Sequence, residues 1–285
     1  MTQLDPIVRE PTTLEHMYGE SDLAEAEVFK GGYCNFGYWP GIPNAISAEC
    51  RSEASKALYR EVLNLLGSIA NDGHWSLLEV GAGRGHGARL AIEEYGAGRV
   101  LAVDQSPMQI ERLRRCQRDL IDSGRLDGQV GTAEDLPASS SAYDALYSVE
   151  AMQHFQSNRR SLEEAARVLK PGGKLALTTF FLTRSEYFDR ARTMLPTVER
   201  GITRLTPIEA LVHELEMSGF HAIRVQSIGA KVFPGFDRWL EILGDRAGER
   251  DSWGRNWLKC HQAGWIDYYL IDACRSRAPA AAIVR

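Results

Sequence analysis

Apolar positions recur at helical spacing along "SAECRSEASKALYREVLNLLGSI", which predicts a helix from Ser47 to Ile69. From Leu77 the rhythm changes to short apolar runs separated by amphipathic stretches. "SLLEV" predicts a strand, "GHGARLAIEEY" a helix, "RVLAVDQ" a second strand, and "SPMQIERLRRCQRDLIDSG" one helix with Pro107 near its start. "GQVGTAEDLP" reads as a short strand and loop, and "YDALYSV" as a buried strand. "SLEEAARVLK" reads as a helix closed by the "PGG" at Pro171 to Gly173, and "KLALTTFF" as a further strand. Alternation of this kind predicts a parallel sheet covered by helices on both faces.

After Phe181 the rhythm breaks. "LTRSEYFDRARTMLPTVERGITR" reads as an inserted helical segment. "TPIEALVHELEMSGF" is a helix with Thr206 as its N-cap and Gly219 at its end. "HAIRVQSIG" predicts a strand, "FPGFDRWLEIL" a short helix, and "WIDYYLIDACR" a last strand that closes the sheet. The expected organisation is an N-terminal lid with helices over 1–70, a ligand-binding core over 71–181, and helical insertions with the end of the sheet over 182–285. The tail "APAAAIVR" is expected to fray.

Bulk properties narrow the function. A chain of 285 residues is long enough for a full core, and 44% hydrophobic with 25% charged residues is ordinary for a globular protein. The net charge of −5 gives no general attraction to nucleic acid or to an acidic membrane. The five cysteines are widely spaced, with no Cys/His cluster of metal-binding spacing. The N-terminus carries acids and prolines rather than an apolar signal core, and no apolar run approaches membrane-spanning length. A cytoplasmic location is expected.

The candidate chemistry begins at "LLEVGAGRGHGARL", where Gly81, Gly83, Gly85 and Gly87 join a strand to a helix. Such a turn holds a ligand against a helix N-terminus. The dinucleotide pattern G-x-G-x-x-G would need glycine at His86, and a triphosphate loop would end in G-K-S/T, which is absent. Glu79 precedes the turn. A carboxylate there would repel a pyrophosphate and favour an ammonium or sulfonium. Asp104 ends the second strand in "LAVDQS", at the carboxyl edge where such sheets bind ligands, and can accept from ribose hydroxyls.

With "GTAEDLP", "YDALYSVEAMQHF" and "LKPGGKLALTTF" following in order, the sequence resembles the class I S-adenosylmethionine-dependent methyltransferases over roughly Trp75 to Phe181. The end from Gly219 to Arg275 is similar to the family's closing helix and reversed last strand. The resemblance implies a doubly wound Rossmann-like α/β sheet of seven strands and S-adenosyl-L-methionine as cofactor. It implies that Glu79, Gly81 and Gly83 contact the methionine moiety. Asp104 would hold the ribose with Gln105 beside it, and Ala133 and Glu134 would meet the adenine, with Thr132 as the alternative contact to Glu134. Glu150 would lie near the transferred methyl.

"YCNFGYW" (Tyr33 to Trp39) resembles the N-terminal lid signature of natural-product and sterol-type small-molecule methyltransferases, and Tyr18 matches the aromatic that precedes it. The segment is therefore expected to be a mobile lid rather than part of the core, and such lids sometimes pack on a neighbouring subunit, which points to a homo-oligomer. Aromatic faces also attract a sulfonium.

His154 in "EAMQHF" is the candidate base for an acceptor that must lose a proton, with activity falling on the acid side of neutral pH. "SVEAMQHF" also resembles the block of sterol-type C-methyltransferases, in which Glu150 would face a carbocation. The aromatic C-terminal half, with Phe181, Phe188 and Trp239 as expected substrate contacts, suits a lipophilic acceptor. The expected reaction is C-methylation of an isoprenoid double bond in natural-product biosynthesis, with cyclisation as a possible sequel. O-methylation of a phenol or polyketide hydroxyl is the alternative, and a non-catalytic binding protein a remote one. "KLALTTFFLTR" lacks the acids that a metal-dependent methyltransferase would need, so no metal is expected.

Overall fold

The computed structural model describes residues 14–20, 22–42, 47–67, 74–247 and 253–277. The first thirteen residues of the expected lid and the tail over 278–285, expected to fray, lie outside the described residues. In chain order the elements are α1 (Ala48–Leu65), β1 (Ser76–Val80), α2 (His86–Glu93), β2 (Arg99–Asp104), α3 (Pro107–Cys116), α4 (Arg118–Asp122), β3 (Leu126–Val130), β4 (Tyr143–Val149) and α5 (Asn158–Val168). They continue with β5 (Leu169–Leu182), α6 (Phe188–Met194), α7 (Pro196–Glu199), α8 (Ile208–Met217), β6 (Phe220–Ser227), α9 (Gly229–Ala247), α10 (Asn256–Gln262) and β7 (Ile266–Arg275).

The seven strands form one sheet in the order β3-β2-β1-β4-β5-β7-β6. β1 to β5 run parallel, and β7 is antiparallel to both β5 and β6. The last strand therefore slots between β5 and β6 rather than closing the sheet, and β6 forms the edge. Each face carries its own core. One gathers Leu58 and Val62 of α1, Ala88 and Ile92 of α2 and Ile110 of α3; the other gathers Leu162 and Val168 of α5 and Leu211 and Leu215 of α8. Side chains alternate along a strand, so neighbours on β5 part company. Phe180 joins the first core and Phe181 the second.

Local chemistry explains the boundaries. Ser47 caps α1 by accepting the Cys50 N–H at 3.3 Å. The single helix expected from Ser106 to Gly124 is broken at Gln117, whose side chain is drawn inward: Nε2 donates to the Arg84 carbonyl at 3.0 Å and Oε1 accepts from Arg89 Nε at 2.6 Å. Thr206 does not cap α8; its hydroxyl accepts from Asn158 Nδ2 at 3.2 Å, and Pro207 takes the cap position. The "PGG" after α5 is carried into β5. The insertion after β5 is helical, as its pattern predicts.

The described lid residues are packed into the first core. Met17, Leu23, Val28, Tyr33, Phe36 and Trp39 are all buried there. Arg51 of α1, fully buried, holds this strap from beneath. Its Nε donates to the Val28 carbonyl at 3.1 Å, and its other nitrogens donate to the Asn35 carbonyl and Ser55 Oγ. Its guanidinium also faces the rings of Phe29, Trp39 and Phe236. The contrast between lid and core drawn from sequence does not hold for these residues, because the strap's aromatics supply core volume.

Candidate active site

The carboxyl ends of β1, β2 and β4 open onto a cleft of about 1040 Å³. Its floor is the glycine turn. Gly81 has φ +76, and a Cβ there would lie 2.2 Å from the Ala151 Cβ. Gly83 has φ +51, and a Cβ there would meet nothing within 4 Å, so its missing side chain leaves space in the cleft that it lines. Asp104 accepts the Gly83 N–H at 2.9 Å through Oδ2 and the Ser106 N–H at 3.0 Å through Oδ1. Burial raises its pKa, against these two donors. The carboxylate thus holds the turn and faces the cleft. Gln105, Thr132, Ala133 and Glu134 line the same space. Glu134 Oε1 accepts from Gln156 N at 2.7 Å and Ser157 N at 3.1 Å, so the loop before α5 already claims that oxygen.

Glu79 is placed differently from the sequence expectation. Its side chain does not line the cleft but is buried behind the turn, where Oε2 accepts from the Tyr147 hydroxyl at 3.2 Å. A Cβ on Gly87 would lie 2.3 Å from its Oε1, so the start of α2 closes over it. Burial pushes this carboxyl up to about 8, against the Tyr147 and Tyr59 hydroxyls and the Ala88 N–H.

A second cavity, about 760 Å³, adjoins the cleft. Tyr18, Cys34, Glu150 and His154 line both and mark the junction. Beyond it the walls are mostly apolar. Phe36 stacks on Phe236 with ring centroids 4.2 Å apart and on Phe180 at 5.8 Å, and Phe180 meets Trp257 at 4.4 Å.

Glu150 follows β4 with φ +47, a backbone conformation that side-chain-bearing residues seldom adopt. Its Oε1 accepts from the Phe36 N–H and the Tyr268 hydroxyl, both at 2.5 Å, tying the strap and the last strand to one carboxylate. Burial pushes it up to about 7, against those donors and the Arg51 charge. His154 Nδ1 donates to the Ile202 carbonyl at 2.9 Å, which leaves Nε2 as an acceptor facing the Tyr18 hydroxyl at 3.1 Å. Burial lowers the imidazole to about 4, so the ring is neutral at ordinary pH.

The strap is latched over the cleft by charge. Asp22, itself at φ +47, accepts from Arg84 of the glycine turn at 2.5 Å and pairs with Arg112 of α3 at 2.9 Å. Arg112 and Gln109 also donate to the Tyr18 carbonyl.

Of the expected acceptor contacts, none lines the second cavity. Phe181 lies in the opposite core because β5 alternates, Phe188 is 39% exposed on α6, and Trp239 is fully buried with its indole N–H on the Val28 carbonyl at 3.0 Å. Phe36, Phe180, Phe236 and Trp257 stand there instead. The sequence reading also passed over Cys34, Arg51, Asp22 and Tyr268. Asp22 carried no local signal, because its partners Arg84 and Arg112 lie far along the chain; Tyr268 was hidden in an ordinary strand pattern.

Among the described residues no group of three or more His, Cys, Asp or Glu is arranged to hold a metal ion, and no helix is long and apolar enough to cross a membrane.

The Methyltransf_11 family (methyltransferase domain) matches residues 78–177. The O-methyltransferase resE of Aspergillus sclerotiorum is 30% identical over 151 residues, covering 53% of this chain and 54% of that protein, so the chain spans about half the length of this relative. The O-methyltransferase cnsE of Penicillium expansum is 28% identical over 250 residues, covering 87% of each. Among solved structures, geranyl diphosphate C-methyltransferase from Streptomyces coelicolor A3(2) shares the fold with a TM-score of 0.71 at 18% identity, over 85% of this chain and 91% of that one. The matched stretch runs from β1 into β5 and carries the glycine turn, the acid of β2 and the Glu150 loop, so over residues 78–177 this chain is similar to the methyltransferase domain family.

Proposed function

We propose that the chain methylates an uncharged, lipophilic small molecule on a hydroxyl, with His154 as the base. The observation that carries this is the junction: an apolar cavity meets the cofactor cleft at a histidine whose Nδ1 is committed to a carbonyl and whose Nε2 is an acceptor. Relatives at 28–30% identity that are named O-methyltransferases support the same reading.

The cleft fits S-adenosylmethionine. Gly83 leaves room for it, and Asp104 offers the free lone pairs of its two oxygens to ribose hydroxyls. When bound, this cofactor supplies an electrophilic methyl group. The protein's share is alignment and exclusion of water. The strap closes the cleft through the Asp22 latch, and the aromatic walls hold the acceptor dry. No Lys or Arg lines the second cavity among the described residues, which favours an uncharged acceptor over a phosphorylated one. Nε2 takes the hydroxyl proton as the oxygen attacks, and the Ile202 carbonyl steadies the resulting imidazolium.

A second reading is C-methylation of an electron-rich double bond. It is favoured by Glu150, a buried carboxylate at the junction among Phe36, Phe180 and Tyr268, which would stabilise a carbocation. Double-bond attack needs no prior deprotonation. The test is single-turnover kinetics of His154→Ala and Glu150→Gln with carbon-13 analysis of the product. An O-methyl product and a loss on the order of 10²–10⁴-fold confined to His154→Ala support the first reading. A C-methyl product with the loss confined to Glu150→Gln supports the second.

A further inference from the structure

The second cavity contains a polar group that neither the cofactor nor the reacting atom accounts for. Thr197, 4% exposed, lines this cavity but not the cofactor cleft, and its enclosed hydroxyl has no hydrogen-bond partner among the described residues. A buried hydroxyl without a partner is costly, and valine would fill the same volume without that cost. Thr203, 5% exposed, lines the same cavity. Gln153, the side-chain amide in that lining, is already spoken for: Nε2 donates to the Glu150 carbonyl at 2.7 Å and Oε1 accepts from the Thr179 hydroxyl at 2.7 Å.

Both threonines belong to the inserted segment after β5, and its backbone is fixed. The Thr197 carbonyl accepts from Ile202 N and Thr203 N, each at 2.9 Å, and Arg204 N donates to the Gln153 carbonyl at 2.8 Å. The Ile202 carbonyl in turn orients His154. The Thr197 hydroxyl is therefore carried on the same rigid turn that sets the base. The oxygen is enclosed as it stands, so a ligand group meets it when the side chain turns about χ1 into the cavity that the residue lines, and binding then removes a cost already present in the free protein.

We propose that Thr197 is a specificity-determining residue that hydrogen-bonds a second polar group, a hydroxyl or carbonyl, on the acceptor. The acceptor is thus a lipophilic molecule with two oxygen functions, one at the His154 junction and one at the insertion. This rests on the second cavity being the acceptor site.

The test pairs rigid aromatic diols with their mono-ols: 2,6-dihydroxynaphthalene with 2-naphthol, 4,4′-biphenyldiol with 4-phenylphenol, and estradiol with its 17-deoxy analogue. Binding is measured by calorimetry on the full chain loaded with S-adenosylhomocysteine, for the parent and Thr197→Val. We expect at least one diol to bind roughly 5- to 50-fold tighter than its mono-ol in the parent, with the preference lost in Thr197→Val and kept in Thr197→Ser. The melting temperature of ligand-free Thr197→Val should equal or exceed the parent's. A marked drop would show that the hydroxyl holds the fold, and would overturn the assignment. So would pairs that bind alike, or not at all, in parent and variant. Failure of the O-methylation reading looks different: the diol preference persists while labelled cofactor yields no O-methyl product.

Discussion

The hydroxyl of Tyr18 donates to Nε2 of His154 at 3.1 Å, joining the N-terminal strap to the loop after β4 across 136 residues of sequence. The contact occupies the atom that the proposed base would use. An acceptor hydroxyl must replace the tyrosine's on Nε2. Tyr18→Phe should then slow single turnover by less than about 10-fold, whereas His154→Ala costs on the order of 10²–10⁴-fold. Equal losses would mean that the proton passes through Tyr18 instead. The sequence pointed to an activity limb on the acid side of neutral pH. Burial lowers the imidazole to about 4, so kcat/KM should stay level down to about pH 5.

Cofactor affinity should depend on the glycine turn and the acid that holds it. Asp104→Ala removes the acceptor for both the Gly83 and Ser106 N–H groups as well as the ribose partner. Gly83→Val puts a branched side chain into the cleft at φ +51. Each should weaken S-adenosylhomocysteine binding by about 100-fold or more, a loss expected when charge-assisted bonds or ligand space are removed. Calorimetry checks this, with circular dichroism to show that the fold is retained. Affinity within about 3-fold of the parent in both variants would dissociate the turn from the cofactor.

The contrast between what the sequence disclosed and what it hid follows the physics. Strand patterns were legible for all seven strands of the sheet; in β1, β2 and β4 the signal was the continuous apolar run that burial on both faces requires, whereas β6 lies largely exposed at the edge. The glycine turn and Asp104 were legible because few residues satisfy their backbone or charge requirements. Strand neighbours on β5 were not, since Phe180 and Phe181 are chemically identical and only register decides which faces the cavity. Glu79 was misplaced for a related reason: its position before the turn is fixed by sequence, but its direction depends on the space that Gly87 leaves behind the turn. Arg51 looked like one more charge on a helix. Its burial arises from strap carbonyls at Val28 and Asn35 that pattern analysis cannot bring together.

The strap should open through its charged latch rather than its aromatic core. Asp22→Ala removes the carboxylate that Arg84 and Arg112 share and leaves at φ +47 a residue that tolerates that conformation less well than Asp. Limited proteolysis should then cut faster around residues 14–25, with little change in melting temperature. Arg51→Met should do the reverse. It strips donors from two strap carbonyls and Ser55 in the core, a loss of about 3 kcal/mol or more, and should lower the melting temperature by several degrees. A latch variant that melts like Arg51→Met would show that the strap behaves as a single unit.

Stability should have a level region and then decline above neutral pH. Two buried acids, Glu79 and Glu150, are raised from 4.5 to about 8 and about 7. The native state therefore holds their protons where the unfolded chain has released them, and stability falls as pH rises through that window. Two histidines, His86 and His154, are lowered from 6.5 to about 4, mainly by burial. There the unfolded chain binds more protons, so stability falls as pH drops below 6.5. From about pH 4.5 to 6.5 these slopes oppose each other. Above 6.5 only the acids act, and stability should fall by on the order of 2–3 kcal/mol by pH 8. Urea unfolding of the ligand-free chain at pH 5, 6, 7 and 8, at constant ionic strength, measures this. Glu79→Gln removes the higher-titrating acid and should flatten most of the decline above pH 7. A parent protein that gains stability between pH 6.5 and 8 would mean that Glu79 is ionised behind the turn, with a cationic partner that its burial between Tyr147 and α2 does not provide.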